Sequence, residues 1–127
     1  MTRMNVAASG CEQGLIDRAA ILDRFDGDED LLREISSIFL SEYPSLLDEI
    51  RTAVDSGDPK GLERAAHSLK GSVSNFGASA ATNAAYTLET MGRKQQMTQA
   101  KEALNELVLQ LYQLRPELKE LAANLCD

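Results

Sequence analysis

The sequence predicts an all-α protein: an up-and-down antiparallel four-helix bundle with a short additional N-terminal helix. Three observations lead there. Ala, Leu, Glu, Arg and Gln are plentiful, prolines number three, and no alternating β-branched stretch is visible. Apolar residues recur three and four apart in successive segments, the spacing of helices that bury one face. The 127 residues make one ordinary domain, too short for two of typical size. At 43% hydrophobic and 26% charged, the composition is that of a packed domain, not a disordered tail.

The elements follow in order. Residues 1–13 are small and polar and read as a flexible segment, leaving 14–125 for the bundle. Leu15, Ile16, Ala19, Leu22 and Phe25 fit a short helix that stops at the turn dipeptide Asp26-Gly27. Asp28 or Asp30 then caps a longer helix, with acidic residues in the first turn where the macrodipole favours them. Its apolar positions are Leu31, Ile35, Ile38, Phe39, Leu46, Ile50 and Val54, and Pro44 is expected to kink or split it near Tyr43.

Ser56-Gly57-Asp58-Pro59 is the clearest boundary. Gly57 suits a left-handed stop, Asp58 the next N-cap and Pro59 the first helical position. The third major element runs to about Phe76, where Gly77 ends it and Ser79 offers the next cap. Ala81, Ala84, Ala85, Leu88 and Met91 form the following helix up to Gly92, their small side chains allowing a neighbour to approach closely. After a polar connection from Arg93 to Gln96, the last helix starts near Thr98. Leu104, Leu107, Leu111, Leu114, Leu118, Leu121 and Leu125 form a heptad seam along it, and Pro116 should bend it. One seam among several amphipathic helices is normally internal, so bundle packing is favoured over a dimer face.

Charge and motifs narrow the function. Thirteen Lys+Arg against twenty Asp+Glu give a net charge of −7, which disfavours a general nucleic-acid binder. No apolar run reaches the roughly 18–20 residues of a membrane span, and the first ten residues do not read as a secretory signal. Cys11 and Cys126 lack metal-like spacing and fit a reducing cytosol better than a disulfide framework, with an end-to-end bridge as the alternative. There is no HxxE, HxxxH or CxxC for a metal, no GxSxG elbow, and no GxxxxGK[ST] or GxGxxG loop for a nucleotide.

One histidine remains, His67, in the third major helix. At about 100° per residue, Ala66, Leu69, Val73 and Phe76 fall within about 40° of Leu62 and define the buried stripe. His67 lies about 140° away, on the opposite side. Ser74, Lys70, Glu63, Lys60, Gly71 and Arg64 spread around it over about 80–200°. Lys70, at i+3, can lean toward whatever the imidazole carries. Gly71 costs about 0.8–1.0 kcal/mol relative to Ala in a helix interior, and no packing demand explains it on an outward face. Close approach by another molecule does. Lys60 and Arg64 are poorly placed for the helix dipole. This otherwise acidic chain thus gathers cations around one imidazole, as a site for a phosphate or carboxylate would, or as a solvated face of mixed charge. An imidazole, with a reference pKa near 6.5, is largely neutral at pH 7 and has a lone pair for attack on phosphorus. Glu63, one turn earlier, is a candidate hydrogen-bond partner for the ring.

Ala66-His67-Ser68-Leu69-Lys70-Gly71-Ser72, with Asn75-Phe76-Gly77-Ala78 after it, resembles the signature of histidine-containing phosphotransfer (HPt) domains. Asp28 to Glu34, Phe39 and Pro44-Ser45-Leu46-Leu47 are similar to the helix preceding that signature, and Leu88-Glu89 to the one following it. The resemblance covers about residues 14 to 92. It implies a cytoplasmic phosphorelay carrier of a two-component system rather than an enzyme, either free-standing or part of a longer chain. His67 would be the phosphoacceptor, through Nε2, and Lys70 would stabilise the phosphoryl oxygens. Gly71 would leave room for a receiver domain, with Ser74, Glu63, Arg64, Lys60 and Glu89 at the docking face. A receiver domain or hybrid histidine kinase would be the partner, and Mg²⁺ would reside on the receiver, with no cofactor on this monomeric chain. Val73 departs from the small residue usual in the family, but lies on the buried stripe. Two other readings compete: a helical protein-interaction module without phosphate chemistry, and a homodimeric bundle joined through the leucine seam.

Overall fold

In the computed structural model, residues 16–123 are described. They form five helices: α1 (Arg18–Arg24), α2 (Glu29–Ser56), α3 (Pro59–Ser74), α4 (Ser79–Arg93) and α5 (Ala100–Ala123). The expectations for residues 1–13, Leu15, Leu125, Cys11 and Cys126 lie outside the described residues.

Local chemistry sets the boundaries. The Asp17 side chain accepts from Ala20 N–H at the start of α1, and Asp26 and Gly27 take positive φ beyond its end. Asp28, of the two candidates, caps α2 by accepting from Leu31 N–H at 3.0 Å. Gly57 closes α2 in the left-handed region at φ 66°, Asp58 accepts from Gly61 N–H, and Pro59 opens α3. Gly77, at φ 63°, turns the chain toward α4. The cap there differs from expectation: Ala78 holds the N-cap position with no side-chain bond, and Ser79 is already helical.

Neither internal proline ends its helix. α2 runs unbroken through Pro44 and α5 through Pro116. Both prolines face outward, so the carbonyl four residues back that loses its donor can turn toward water. The long element around Pro44 is therefore one helix, not two.

The four long helices close a ring of neighbours. α3 packs on α4, α4 on α5, α5 on α2, and α2 on α3, while α1 lies against α2. Short connections make sequential helices antiparallel. α1 is also tied to the end of α3, where Arg24 Nη1 donates to the Ser74 carbonyl at 2.7 Å.

The core is where the helical rotation placed it. Leu62, Ala66, Leu69, Val73 and Phe76 are fully buried. Leu104, Leu107, Leu111, Leu114, Leu118 and Leu121 are at most 5% exposed within a single chain, so the seam is internal packing, not a dimer face. Phe39 joins α2 to this core, stacked on Tyr43 at 5.3 Å and edge-on to Phe76 at 5.4 Å. On α2 the buried register departs from the apolar pattern. Leu31 and Ile38 are exposed, whereas Leu32, Ser36 and Ala53 are buried. Ser36 is tolerated there because its hydroxyl donates to the Leu32 carbonyl at 2.8 Å.

Candidate functional site

α3 presents His67 on the face opposite its core stripe. The imidazole is 66% exposed, as the rotation about the helix axis requires. It borders an open groove of about 460 Å³ lined by Lys60, Glu63, Arg64, His67, Ser68 and Glu89. Five of these come from α3, three of them at one-turn spacing, and the sixth reaches over from α4.

That sixth residue organises the site. The Glu89 side chain is only 6% exposed. Its Oε2 lies 2.9 Å from His67 Nδ1 and 3.0 Å from Arg93 Nη2, and its Oε1 lies 2.7 Å from Lys70 Nζ. Burial works to raise the Glu89 pKa, but the hydrogen bonds and charges of Lys70 and His67 outweigh it and hold the carboxyl below its ordinary value. Folding and ionisation are thereby linked. The stability from this depressed carboxyl is complete above the usual glutamate range and is lost as pH falls through the lower folded value.

An ionised carboxylate only accepts hydrogen bonds. The Nδ1–Oε2 contact therefore requires the proton on Nδ1. In the neutral ring the lone pair then belongs to Nε2, which makes no hydrogen bond to any described residue. A buried anion thus selects the tautomer of an exposed base.

Lys70 is the second half-fixed group. Its ammonium is paired with Glu89 and sits 5.1 Å from the centroid of the Tyr86 ring. Standing one turn along α3 from His67, it is within side-chain reach of whatever the ring carries.

The other expected site residues divide. Lys60 and Arg64 are exposed on the groove wall, and neither has an ion-pair partner among the described residues. Gly71 is exposed, and a Cβ built there would meet nothing within 4 Å, so no contact inside the chain calls for glycine. Ser74 is not part of the groove; its hydroxyl donates to the Gly71 carbonyl at 2.9 Å. Glu63 is not the partner of the ring. It pairs with Arg93 (3.5 Å from Nε), because the α3–α4 contact brings Glu89 to Nδ1 first.

Two participants were missed in the sequence. The sequence places Arg93 in the polar connection, but it is the last residue of α4, and i+4 from Glu89 is the spacing of a helical ion pair. Tyr86, half-exposed on α4, gave no signal at all. Gly92, where the apolar pattern of this helix ends, is a close-approach point. A Cβ there would stand 2.6 Å from the Pro59 carbonyl oxygen and 2.7 Å from the Glu63 nitrogen. This contact lets α4 carry Glu89 and Arg93 against α3. Among the described residues no group of three or more His, Cys, Asp or Glu is placed to hold a metal ion, and no helix is long and apolar enough to cross a membrane.

Comparison with known proteins bears on the family and the fold. The Hpt domain family matches residues 34–125. The fold is similar to the crystal structure of histidine-containing phosphotransfer protein B (HptB) from Pseudomonas aeruginosa PAO1. The TM-score is 0.80 at 21% sequence identity, over 89% of this chain and 98% of that one. No curated protein sequence matches significantly.

Proposed function

This chain belongs to the Hpt domain family, the phosphotransfer carriers of two-component phosphorelays, and on that premise we propose that His67 is its phosphoacceptor. The observation that carries the assignment is the 2.9 Å contact between Nδ1 and buried Glu89 on a ring that is otherwise two-thirds exposed. It leaves Nε2 as an outward-facing nucleophile.

The reaction follows from the geometry. A receiver domain docks with its aspartyl phosphate over the groove. The Nε2 lone pair attacks phosphorus in line, an N–P bond forms, and the P–O bond to the aspartate breaks with the carboxylate leaving. The ring gains positive charge as it attacks, and the Nδ1–H bond to Glu89 strengthens accordingly. Lys70 moves toward the phosphoryl oxygens. The receiver supplies Mg²⁺ and most of the remaining charge stabilisation. This chain contributes an oriented nucleophile and one ammonium, so its role is that of a carrier. Lys60 and Arg64, unpaired on an acidic protein, favour an acidic docking partner. Burial of the leucine seam within one chain supports a carrier that acts as a monomer, and we propose the cytoplasm as its setting.

Incubation with a panel of phosphorylated receiver domains tests the proposal. At least one should transfer label to this chain, and the label should be acid-labile and base-stable. No transfer from any receiver or histidine kinase, with docking intact, would favour an interaction module instead.

Two variants refine the roles. Lys70→Ala should keep the fold and slow transfer about tenfold, the lower range for one charge-assisted hydrogen bond. An unchanged rate removes Lys70 from the mechanism. Gly71→Ala should raise stability by about 0.8–1.0 kcal/mol, since the new methyl meets nothing. Receiver-dependent transfer should fall in the same protein, while a small phosphodonor still loads it. Thermal melts and paired transfer rates read both effects.

A further inference from the structure

The phosphotransfer reading uses His67, Lys70 and Glu89 but leaves Arg93 without a task. We propose that Arg93 is a positioning residue for the phosphoacceptor: by sharing Glu89 Oε2 with the imidazole, it fixes that carboxylate against Nδ1 and offsets its charge. The inference rests on His67 being the phosphoacceptor.

The geometry is that of a relay of four side chains across two helices. Glu63 on α3 lies 3.5 Å from Arg93 Nε, Arg93 Nη2 donates to Glu89 Oε2 at 3.0 Å, and the same oxygen accepts from His67 Nδ1 at 2.9 Å. One carboxylate oxygen therefore serves both guanidinium and imidazole. A carboxylate facing Nδ1 alone would have two opposed effects. It would select the Nδ1–H tautomer, which exposes the Nε2 lone pair. It would also favour the doubly protonated ring, which has no lone pair. A cation on the same oxygen keeps the first effect and reduces the second. Lys70 supplies one such cation from Oε1, but the proposed reaction draws Lys70 toward the phosphoryl group. Arg93 is the cation that stays.

The surrounding charges are consistent with this balance. Facing the imidazole from α3 are Lys60, Glu63, Arg64 and Lys70, and from α4 Glu89 and Arg93, with Tyr86 against Lys70. On the α2 side, Asp48 and Glu49 share a separate groove with Arg64, and no residue of α2 or α5 lines the groove at His67. Glu63, Glu89, Lys70 and Arg93, which pair with one another, sum to no net charge, and Lys60 and Arg64 on the groove wall bring the total facing the ring to +2. Desolvation works to lower the Arg93 pKa, but Tyr86, Glu89 and Glu63 outweigh it and hold it above its ordinary value, so the guanidinium is permanently charged.

The test uses the full chain and phosphoramidate as a small donor, which removes receiver docking from the measurement. Arg93→Gln should load about three- to tenfold more slowly near pH 7, the range of one charge-assisted bond to a half-exposed partner. The acid limb of its pH–rate profile should move up by about half a unit, because Glu89, left with Lys70 alone as its counter-cation, keeps the ring doubly protonated to higher pH. Arg93→Lys should restore most of both. On a Glu89→Gln background, Arg93→Gln should add nothing, since Arg93 acts through that carboxylate. A wild-type rate and profile for Arg93→Gln would overturn the proposal. So would a slower rate with an unmoved acid limb, or equal slowing on both backgrounds, since Arg93 would then only clamp α4 to α3. His67→Gln run in parallel separates the two levels. Label persisting there removes the phosphoacceptor reading and this inference with it. Label lost there, with Arg93→Gln indistinguishable from wild type, removes the inference alone.

Discussion

His67→Gln should fold like the parent and accept no phosphoryl group from any donor, the largest functional effect expected of a single change in this chain. The fold is expected to survive because the ring is 66% exposed, and surface substitutions usually change stability by less than about 0.5 kcal/mol. Glu89 loses one partner but keeps Lys70 and Arg93, so no buried charge is stranded. Function is lost because the amide has no basic lone pair, and the described groove holds no second imidazole. Circular dichroism melts and label incorporation read the two halves separately. Label retained by a folded His67→Gln protein would place the acceptor elsewhere.

Gly92→Val should be the most damaging single change outside the hydrophobic core. The three atoms nearest a Cβ at this position are all backbone: the Pro59 oxygen at 2.6 Å, the Glu63 nitrogen at 2.7 Å and the Glu63 Cα at 3.0 Å. Rotating a side chain cannot relieve these contacts, so the first turn of α3 must move from α4. Overpacking of this kind costs about 1–3 kcal/mol, and a branched side chain belongs at the upper end. The expected fall in Tm is about 10 °C. Gly92→Ala should be milder, because about 1 kcal/mol of helix propensity offsets the clash. Since Glu63 sits at the contact, residual folded protein should also load phosphate more slowly. A wild-type Tm for Gly92→Val would show that α3 and α4 do not pack as closely as this. The contrast with Gly71, inside α3 but in open space, makes the pair a test of contact geometry rather than of glycine as such.

The two glycines also show where sequence reasoning stops. In a sequence, a glycine near a helix end can mean a left-handed stop or a close approach. Gly57 is the first and Gly92 the second, and only the packing partner distinguishes them. Local rules succeeded where the chemistry is local. Asp58 and Pro59 define the start of α3 within a few residues, and the rotation of His67 away from Leu62 follows from helical geometry alone. The partner of the ring could not be found that way. Glu63 and Glu89 are both carboxylates, and the choice depends on an α3–α4 contact between residues 22 apart in sequence. The buried face of α2 was partly misplaced for a similar reason. Leu31 and Ile38 fit the apolar period as well as Leu32 does, and the neighbouring helices decide which edge is covered. Pro44 was expected to interrupt α2, yet an outward-facing proline leaves its unpaired carbonyl open to water and the helix continues.

All of the chemistry proposed here depends on one proton being held at Nδ1 by Glu89. The most direct measurement is ¹⁵N and ³¹P NMR of the imidazole-labelled protein before and after phosphorylation. The free ring should be predominantly the Nδ1–H tautomer, and phosphorus should couple to Nε2 after loading. A free ring protonated mainly at Nε2, or a phosphoryl group found on Nδ1, would contradict the account.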